Sequence, residues 1–443
     1  MSVSKNYWLK NGLINIFQNL STVFFGFVSF YFLVRLLSKD DWGAWGLFLS
    51  TISIVEIARN GLTQEPLVKY LSAANRLDKR KIITASFFIN IIMSLLVCIV
   101  FLIAIPLLAK SWNSQELNHM FHIYLITFFI TGITSQLNFI EQAHLRFTGN
   151  FYTNFLRQLV LFLYIAYCYI SPAQISLITL TYVHLLAGVL SAITAFVFTR
   201  KLLKYTVKID KEWMKKIFHF GKYSFGVSLS SVLSASIDQM MLGSMLSKAA
   251  SGAFNIAVRI TNLADIPTNA MAAILFPQSS IRFEKQGGES VKYLYEKSVG
   301  VVLAILIPVT VILILFSDLV INIVVGNKYP ESVQLLRLTL LVCIFIPFGR
   351  QAGTAFSSSG NVKINFYMII LNTILIIVCN YFLIDMYGVV GAAYTTLIAN
   401  VVGFAICQYY LYKLFRINAL NSFIYAVKFY PEFLNKFLRN KNG

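Results

Sequence analysis

Seven charged side chains interrupt stretches of this 443-residue chain that are otherwise almost wholly apolar: Glu56 and Arg59, Arg157, Asp238, Arg259 and Asp265, and Arg350. At the centre of a bilayer such a group costs about 2.5–3.5 kcal/mol on insertion scales, so it marks a function by default. The two residue types suit different work. The planar fork of arginine binds phosphate oxygens bidentately, which makes Arg59, Arg157, Arg259 and Arg350 candidates for holding a phosphate-bearing anion. Carboxylates in apolar helices mark proton or ion relays, which makes Glu56, Asp238 and Asp265 candidates for ion coupling. Spacing adds pairings. Arg59 follows Glu56 by one turn and can neutralise it in cis. Asp238 precedes, and Arg259 follows, a turn at 247–251 by nine and eight residues. At a rise of ~1.5 Å both lie about 12–14 Å from that turn, where they can pair structurally or serve the path of such an anion. His184 reads as a hydrogen-bonded packing residue.

The elements that carry these residues follow from composition. Hydrophobic residues are 57% and charged residues 12% of the chain, with a mean hydropathy of +0.70, where a globular protein carries about 25% charge. Apolar blocks such as 89–108 and 299–316 approach the roughly 20 residues that a bilayer core demands. The expected fold is an all-α polytopic membrane protein with twelve spans near 12–37, 42–63, 83–108, 119–140, 152–171, 175–199, 221–246, 251–276, 298–325, 333–357, 364–384 and 388–412. The net charge of +19 is topological rather than a nucleic-acid signature. Alternate gaps between spans hold most of the Lys and Arg, notably Arg76 to Lys81, the 200–222 loop and the tail from Lys413. The positive-inside rule therefore predicts cytoplasmic termini and a cytoplasmic 200–222 loop in a multi-pass inner-membrane protein.

Several classes are disfavoured. The first apolar block is too long for a signal-peptide core. Cys98, Cys168, Cys343, Cys379 and Cys407 lie within spans without metal-ligand spacing, so no metal or other cofactor is expected. No GxxxxGK[ST] occurs, and Gly221-Lys222 is followed by Tyr223, which argues against ATP-driven transport by this chain alone.

The chain repeats itself, and repeats come first in reading a fold. Leu37-Ser38-Lys39 followed by Gly43-Ala44-Trp45 matches Leu246-Ser247-Lys248 followed by Gly252-Ala253-Phe254 at an offset of 209. The same offset pairs Glu56 with Asp265 and Asn60 with Asn269. Thr148-Gly149-Asn150 and Asn154-Phe155 match Ser359-Gly360-Asn361 and Asn365-Phe366 at 211. Six spans per repeat return the chain to its starting side, so the halves are parallel repeats, expected as two lobes around a central cleft. The expected organisation is an N-lobe over 1–199, a basic linker over 200–220, a C-lobe over 221–412 and a basic tail over 413–443. Trp213, Ile217 and Phe220 fall at helical spacing, as if part of the linker lies flat on the cytoplasmic leaflet. Phe423, Val427, Phe433, Phe437 and Leu438 among Lys428, Lys436 and Arg439 predict an interfacial tail.

An ordered set of landmarks carries a family resemblance: Leu33-Val34-Arg35-Leu36-Leu37 running to Asp41-Trp42-Gly43; Phe218-His219-Phe220-Gly221; Asp238 with Met241-Leu242-Gly243; Gly252-Ala253-Phe254-Asn255-Ile256-Ala257; Pro277; Phe356-Ser357-Ser358-Ser359-Gly360; and Gly388-Val389-Val390-Gly391-Ala392-Ala393. Over most of residues 5–412 the chain resembles the polysaccharide-biosynthesis, O-antigen-type flippases of the superfamily that also holds multidrug exporters and lipid II flippases. It departs from that pattern at Ser38-Lys39, where Gly-Pro is usual, and at Phe254, where Tyr is usual. Twelve spans rather than fourteen point to carriers of O-antigen, capsule or exopolysaccharide units. The resemblance implies alternating access and an oligosaccharide substrate joined by pyrophosphate to a polyprenol. It further implies bilayer lipids as surroundings, H+ or Na+ as coupling ion, and a polysaccharide polymerase and assembly proteins as partners. A drug exporter of the same superfamily is the alternative, and it would want an acidic cavity. A membrane-embedded polymerase would want a long outer loop with catalytic Arg or His, and every outer loop here is short.

Overall fold

A computed structural model describes residues 5–144, 146–171, 174–203, 206, 210–269, 271–272, 275, 288–359 and 361–439. Among these all regular structure is helical, and eight helices are long and apolar enough to cross a membrane. Local chemistry starts the helices where the sequence changes character. The Ser38 hydroxyl accepts from the Asp41 N–H at 3.0 Å and donates to the Asp41 carboxylate at 2.6 Å, a capping arrangement that opens α2 (Lys39–Asn60) after α1 (Lys5–Leu36). Asn75 caps α4 (Arg76–Ser111) through the Asp78 N–H, following the short α3 (Gln64–Ala73). Ser114 caps α5 (Gln115–Ala143). The buried Glu141 carboxylate accepts from the N–H groups of Gly149 and Asn150 at 2.8 and 2.6 Å, fixing the start of α6 (Thr148–Ile170). Then come α7 (Leu177–Thr199), α8 (Lys211–Met245) and α9 (Lys248–Thr261).

By internal contacts the chain divides into two compact units: residues to Ser236 with Ser247–Ala249, and Ile237–Leu246 with Ala250 onward. The division falls inside α8, later than the boundary at 220 that the charge pattern suggested. In the first unit α5 and α7 pack along one another, α6 packs on α7, α1 on α6, and α4 on α5. Its core is aromatic, with Phe30 on Trp42 and Phe48 between Phe121 and Tyr124. Gly43 at the start of α2 lies against the backbone of Lys248, with no room for a Cβ, so the two copies of the Leu-Ser-Lys landmark touch.

The second unit continues with α10 (Gly288–Leu315), α11 (Ser317–Val325), α12 (Glu331–Val342), α13 (Ile346–Ser358), α14 (Val362–Tyr387), α15 (Val389–Phe415) and α16 (Ala419–Arg439). Its pairings echo the first unit: α14 packs on α15 as α6 on α7, α12 and α13 on α15 as α5 on α7, and α10 on α12 and α13 as α4 on α5. Three expected spans are broken. The span at 251–276 becomes α9, a 3-10 turn at Asn262–Ala264 and a helical stretch at 265–269. The span at 333–357 breaks between α12 and α13, and that at 298–325 breaks between α10 and α11. The first two breaks precede Pro267 and Pro347, which lack the N–H that would carry the ladder through. Pro277, which the resemblance placed at the end of the eighth span, lies outside the described residues.

One surface expectation changes, and the tail helix gains a protein partner along one face. The stripe expected on the leaflet finds protein instead: Ile217 is fully buried with Leu67, Leu71 and Ile82, and Tyr70 meets the rings of Trp213 and Phe220. Asp210 opens α8 by accepting from the N–H groups of Glu212 and Trp213. It also pairs with Lys81 at 2.9 Å. The tail helix α16 packs along α10. The buried Glu296 accepts from the Asn418 N–H and the Asn421 amide, Ser422 and Ala426 face Gly300, and the Tyr430 hydroxyl donates to the Ala304 carbonyl at 2.6 Å. Leu420, Ile424 and Val427 stay exposed on the opposite face.

Candidate functional site

In the first unit the charged residues gather where α2, α5, α6 and α7 meet. Glu56 points from α2 toward α5 and α6. Its Oε1 accepts from the Tyr124 hydroxyl at 2.9 Å and lies 3.5 Å from Arg157 Nη2. The same Nη2 lies 3.3 Å from His184 Nε2 on α7. Arginine only donates, so His184 must accept at Nε2 and carry its proton on Nδ1. The imidazole is therefore a working acceptor as well as the packed residue expected. Glu56 and Arg157 keep about a quarter of their side-chain surface exposed, 24% and 28%.

Arg59 does not close back on Glu56. It is fully buried. Its Nε donates to Asn60 at 3.0 Å, Nη1 donates to the Phe128 carbonyl and to Thr131, and the guanidinium lies over the Phe128 ring. Gly132 makes this possible, because a Cβ there would press on the guanidinium at 3.2 Å. A polar chain there links α4, α5, the end of α2 and the turn that follows it: Ser86 donates to Gln136, Gln136 to Thr63, Thr63 to the Asn60 carbonyl, and Asn60 to Ser135. An arginine placed this deep serves the interior of the unit, since fully buried charges are tolerated only when hydrogen-bonded.

The second unit builds two sites. Asp265 sits just after the 3-10 turn and pairs with Arg350, one turn into α13, at 3.4 Å. Gln351 beside it, fully buried, donates to the Thr268 carbonyl at 3.2 Å. The carboxylate–arginine pair thus joins two proline-broken helices, where backbone groups released from the ladder are available. Asp238, buried on α8, accepts from the Asn380 amide of α14 at 2.5 Å and from Thr396 of α15 at 3.2 Å. Asn380 Oδ1, on the amide that donates to Asp238, is buried without a partner among the described residues. The hairpin pairing of Asp238 with Arg259 is therefore not what holds the carboxylate: neutral donors on α14 and α15 do, and Arg259 Nε goes to Asn255 on its own helix at 2.9 Å. Among the described residues no group of three His, Cys, Asp or Glu is arranged to hold a metal.

Sequence reading found the charges but missed their partners. Tyr124 carries no signal that separates it from the other 22 of 23 tyrosines. Asn380 and Gln351 were detectable as amides inside apolar spans, which demand partners. The repeat-equivalent carboxylates Glu56 and Asp265 both meet an arginine from another helix. The arginines are not equivalent: Arg157 comes from the fifth span and Arg350 from the tenth.

Comparison with known proteins adds to this geometry. A family model described as polysaccharide biosynthesis protein matches residues 32–334. A probable low-salt glycan biosynthesis flippase of Haloferax volcanii is 24% identical over 201 residues, covering 44% of this chain and 42% of that protein. A lipopolysaccharide biosynthesis protein of Escherichia coli is 19% identical over 396 residues, covering 88% and 77%. Among solved structures, an inward-facing multidrug resistance transporter of the MATE family superposes with a TM-score of 0.76 at 17% identity, covering 89% of this chain and 95% of that one. A lipid II flippase in an inward closed conformation gives 0.75 at 14%, covering 95% and 90%.

Proposed function

This chain belongs to the polysaccharide biosynthesis protein family, and from that membership we propose that it is a flippase. Its substrate is a polyprenyl-pyrophosphate-linked oligosaccharide repeat unit of an O-antigen, capsule or exopolysaccharide. It carries this unit from the cytoplasmic to the outer leaflet of the bacterial inner membrane by alternating access, with both termini cytoplasmic and no chemical step. The relatives named for glycan flipping and lipopolysaccharide biosynthesis support the substrate class.

The observation that carries the reading is the pair of arginine–carboxylate contacts, Glu56 with Arg157 and Asp265 with Arg350, each inside a helical unit and each partly exposed. A pyrophosphate competes with a carboxylate for the guanidinium fork, because each presents a pair of anionic oxygens spaced to accept its two parallel N–H donors. Arginine released from its carboxylate holds the headgroup, and the freed carboxylate takes up a proton or Na+. Binding and ion uptake are thereby linked at one exchange. Asp238 among its oxygen-bearing neighbours is a second place for a coupling cation. One charge crossing ~100 mV gains about 2.3 kcal/mol, enough to bias one conformation over another. A drug exporter wants an acidic cavity, whereas the first unit's cluster holds two arginines to one carboxylate. A polysaccharide polymerase and assembly proteins are the partners this role implies.

The test is flipping of a labelled lipid-linked oligosaccharide in proteoliposomes under imposed pH, Na+ or potential gradients. Glu56→Gln and Asp265→Asn should each blunt the dependence on a gradient while the protein is made normally. If the labelled lipid is not flipped under any gradient, the flippase reading fails. If flipping by both variants follows every gradient as the parent does, the coupling assignment fails and the carboxylates are packing residues.

A further inference from the structure

Within the second unit an apolar groove of about 130 Å3 runs between α14 and α15. Ile364, Met368 and Leu371 form one wall, and Gly403, Ile406 and Tyr410 form the other. Each triplet falls at helical spacing, so each lies along one face of its helix. The helices are antiparallel neighbours joined at Gly388. Gly403 stands against Asn372, and a Cβ there would meet nothing nearer than Asn372 Oδ1 at 3.6 Å. The glycine thus leaves a notch in a wall of larger side chains.

Surroundings and charge say what fills the groove. Both helices are long and apolar enough to cross a membrane, and no charged residue occurs over 364–384 or 389–412. Tyr367, Leu371 and Ile374 are exposed along the α14 side, and Val401 and Tyr409 along the α15 side. Such a rim belongs in hydrocarbon, so the occupant is a lipid chain. Cations then mark one end. Lys363 lies one turn before Tyr367, and Lys413 three residues after Tyr410, both exposed. Equal steps from the contact of Gly403 with Asn372 bring Lys363 level with Tyr412, so both lysines stand at the same end. On the proposed topology that end is cytoplasmic.

We propose that this groove seats the prenyl chain of the lipid-linked substrate in the cytoplasmic leaflet, with the pyrophosphate at Lys363 and Lys413. The substrate waits there before its headgroup passes to the arginine–carboxylate pairs, so the inference rests on the flippase reading. The groove is close in size to the ~150 Å3 apolar cavity that takes up a benzene, which is room for one chain. A prenyl lipid has one chain, whereas a phospholipid has two. Each isoprene unit carries a methyl branch that fits over Gly403, and the unbranched Met368 adapts to what lies on it. Two ammonium groups match the two phosphates of a pyrophosphate, where a phospholipid presents a single phosphodiester.

The experiment uses the purified full-length chain in detergent and a polyprenyl pyrophosphate with a photoreactive diazirine on its chain. Light should attach this probe to peptides within 364–372 or 403–410. Gly403→Leu fills the notch and should lower the labelling at least tenfold. Leu371→Trp narrows the groove from its exposed rim, where the larger ring has space to fold, and should act in the same direction. Lys363→Gln with Lys413→Gln should weaken probe binding at least tenfold. In proteoliposomes Gly403→Leu should raise the KM for lipid-linked oligosaccharide and leave kcat near that of the parent. The proposal is overturned if labelling falls outside both peptides, or is equal in the parent and both groove variants. It is also overturned if phosphatidylglycerol displaces the probe at equal concentration, since the groove is then a general lipid seat. The two readings fail separately. Labelling in the groove without any flipping removes the flippase, whereas flipping that both groove variants leave untouched removes the groove.

Discussion

The Glu56 carboxylate lies 3.5 Å from the Arg157 guanidinium, across helices, and not against Arg59 one turn along its own helix. The two arginines therefore do separate jobs: Arg59 ties α2 to α5 from within, and Arg157 is the partner that can let go. Arg157→Gln should lower stability by about 1–3 kcal/mol, the range for losing hydrogen bonds to a charged group. Glu56→Gln combined with it should cost less than the sum of the single changes, by about 1 kcal/mol or more, which a double-mutant cycle on thermal unfolding measures. Strict additivity would mean that the contact contributes nothing.

Asp238 takes its hydrogen bonds from Asn380 and Thr396. Exchanging the charges, Asp238→Arg with Arg259→Asp, should therefore fail to restore either expression or glycan export. The arginine would face amide and hydroxyl groups shaped around a carboxylate. Asn380→Ala should lower stability by about 1–3 kcal/mol, because it strips a hydrogen bond from a buried carboxylate. Full complementation of a flippase-deficient strain by the exchanged protein would restore the hairpin salt bridge as the better account.

Gly43 has no space for a side chain, since the backbone carbonyl of Lys248 occupies it. Gly43→Ala should force the Leu-Ser-Lys turns apart and cost about 1–3 kcal/mol, as overpacking does. Gly26, where a Cβ meets nothing, is the control: Gly26→Ala should leave the melting temperature unchanged or raise it slightly. Equal effects at the two positions would show that the close approach does not matter.

The Lys81 ammonium, and then the Trp213 N–H, hold the Asp210 carboxyl below the usual carboxylate range. A carboxyl whose pKa is lower folded than unfolded adds stability that is complete above the unfolded value, about 3.9. That contribution disappears as pH falls through the folded value. Asp210→Asn should thus melt below the parent at pH 7, and the gap should close under strongly acidic conditions. Proteolysis near Lys201 at both pH values gives a second readout, since Asp210 anchors the segment to α4. A gap independent of pH would assign the effect to the helix cap alone.

Single cysteines at Lys201 and Asn327, both exposed, test the topology in a cysteine-free background. Impermeant reagents should label them from opposite sides of the membrane, Lys201 from the cytoplasm. Labelling of both from one side would remove the twelve-span arrangement.

The sequence by itself determined what depends on composition and order along the chain. Apolar blocks of bilayer length demand helices, because a backbone without water must satisfy its own hydrogen bonds. The 209-residue offset imposed two similar helical sets, and the same pairing pattern recurs within each. The positions of the costly charges were equally plain. Only the tertiary structure decided who meets whom. Arg59 and Arg157 are both arginines in apolar spans, but Gly132 clears room for one guanidinium while the other finds Glu56 from a distant helix. Asp238 took Asn380 and Thr396, 142 and 158 residues away. The stripe of Trp213, Ile217 and Phe220 has the same periodicity whether it covers lipid or protein, and Tyr70 and Leu71 decide for protein. Helical spacing fixes which face a side chain occupies. Which partner that face meets depends on how the helices cross, and that is settled by packing among residues far apart in the chain.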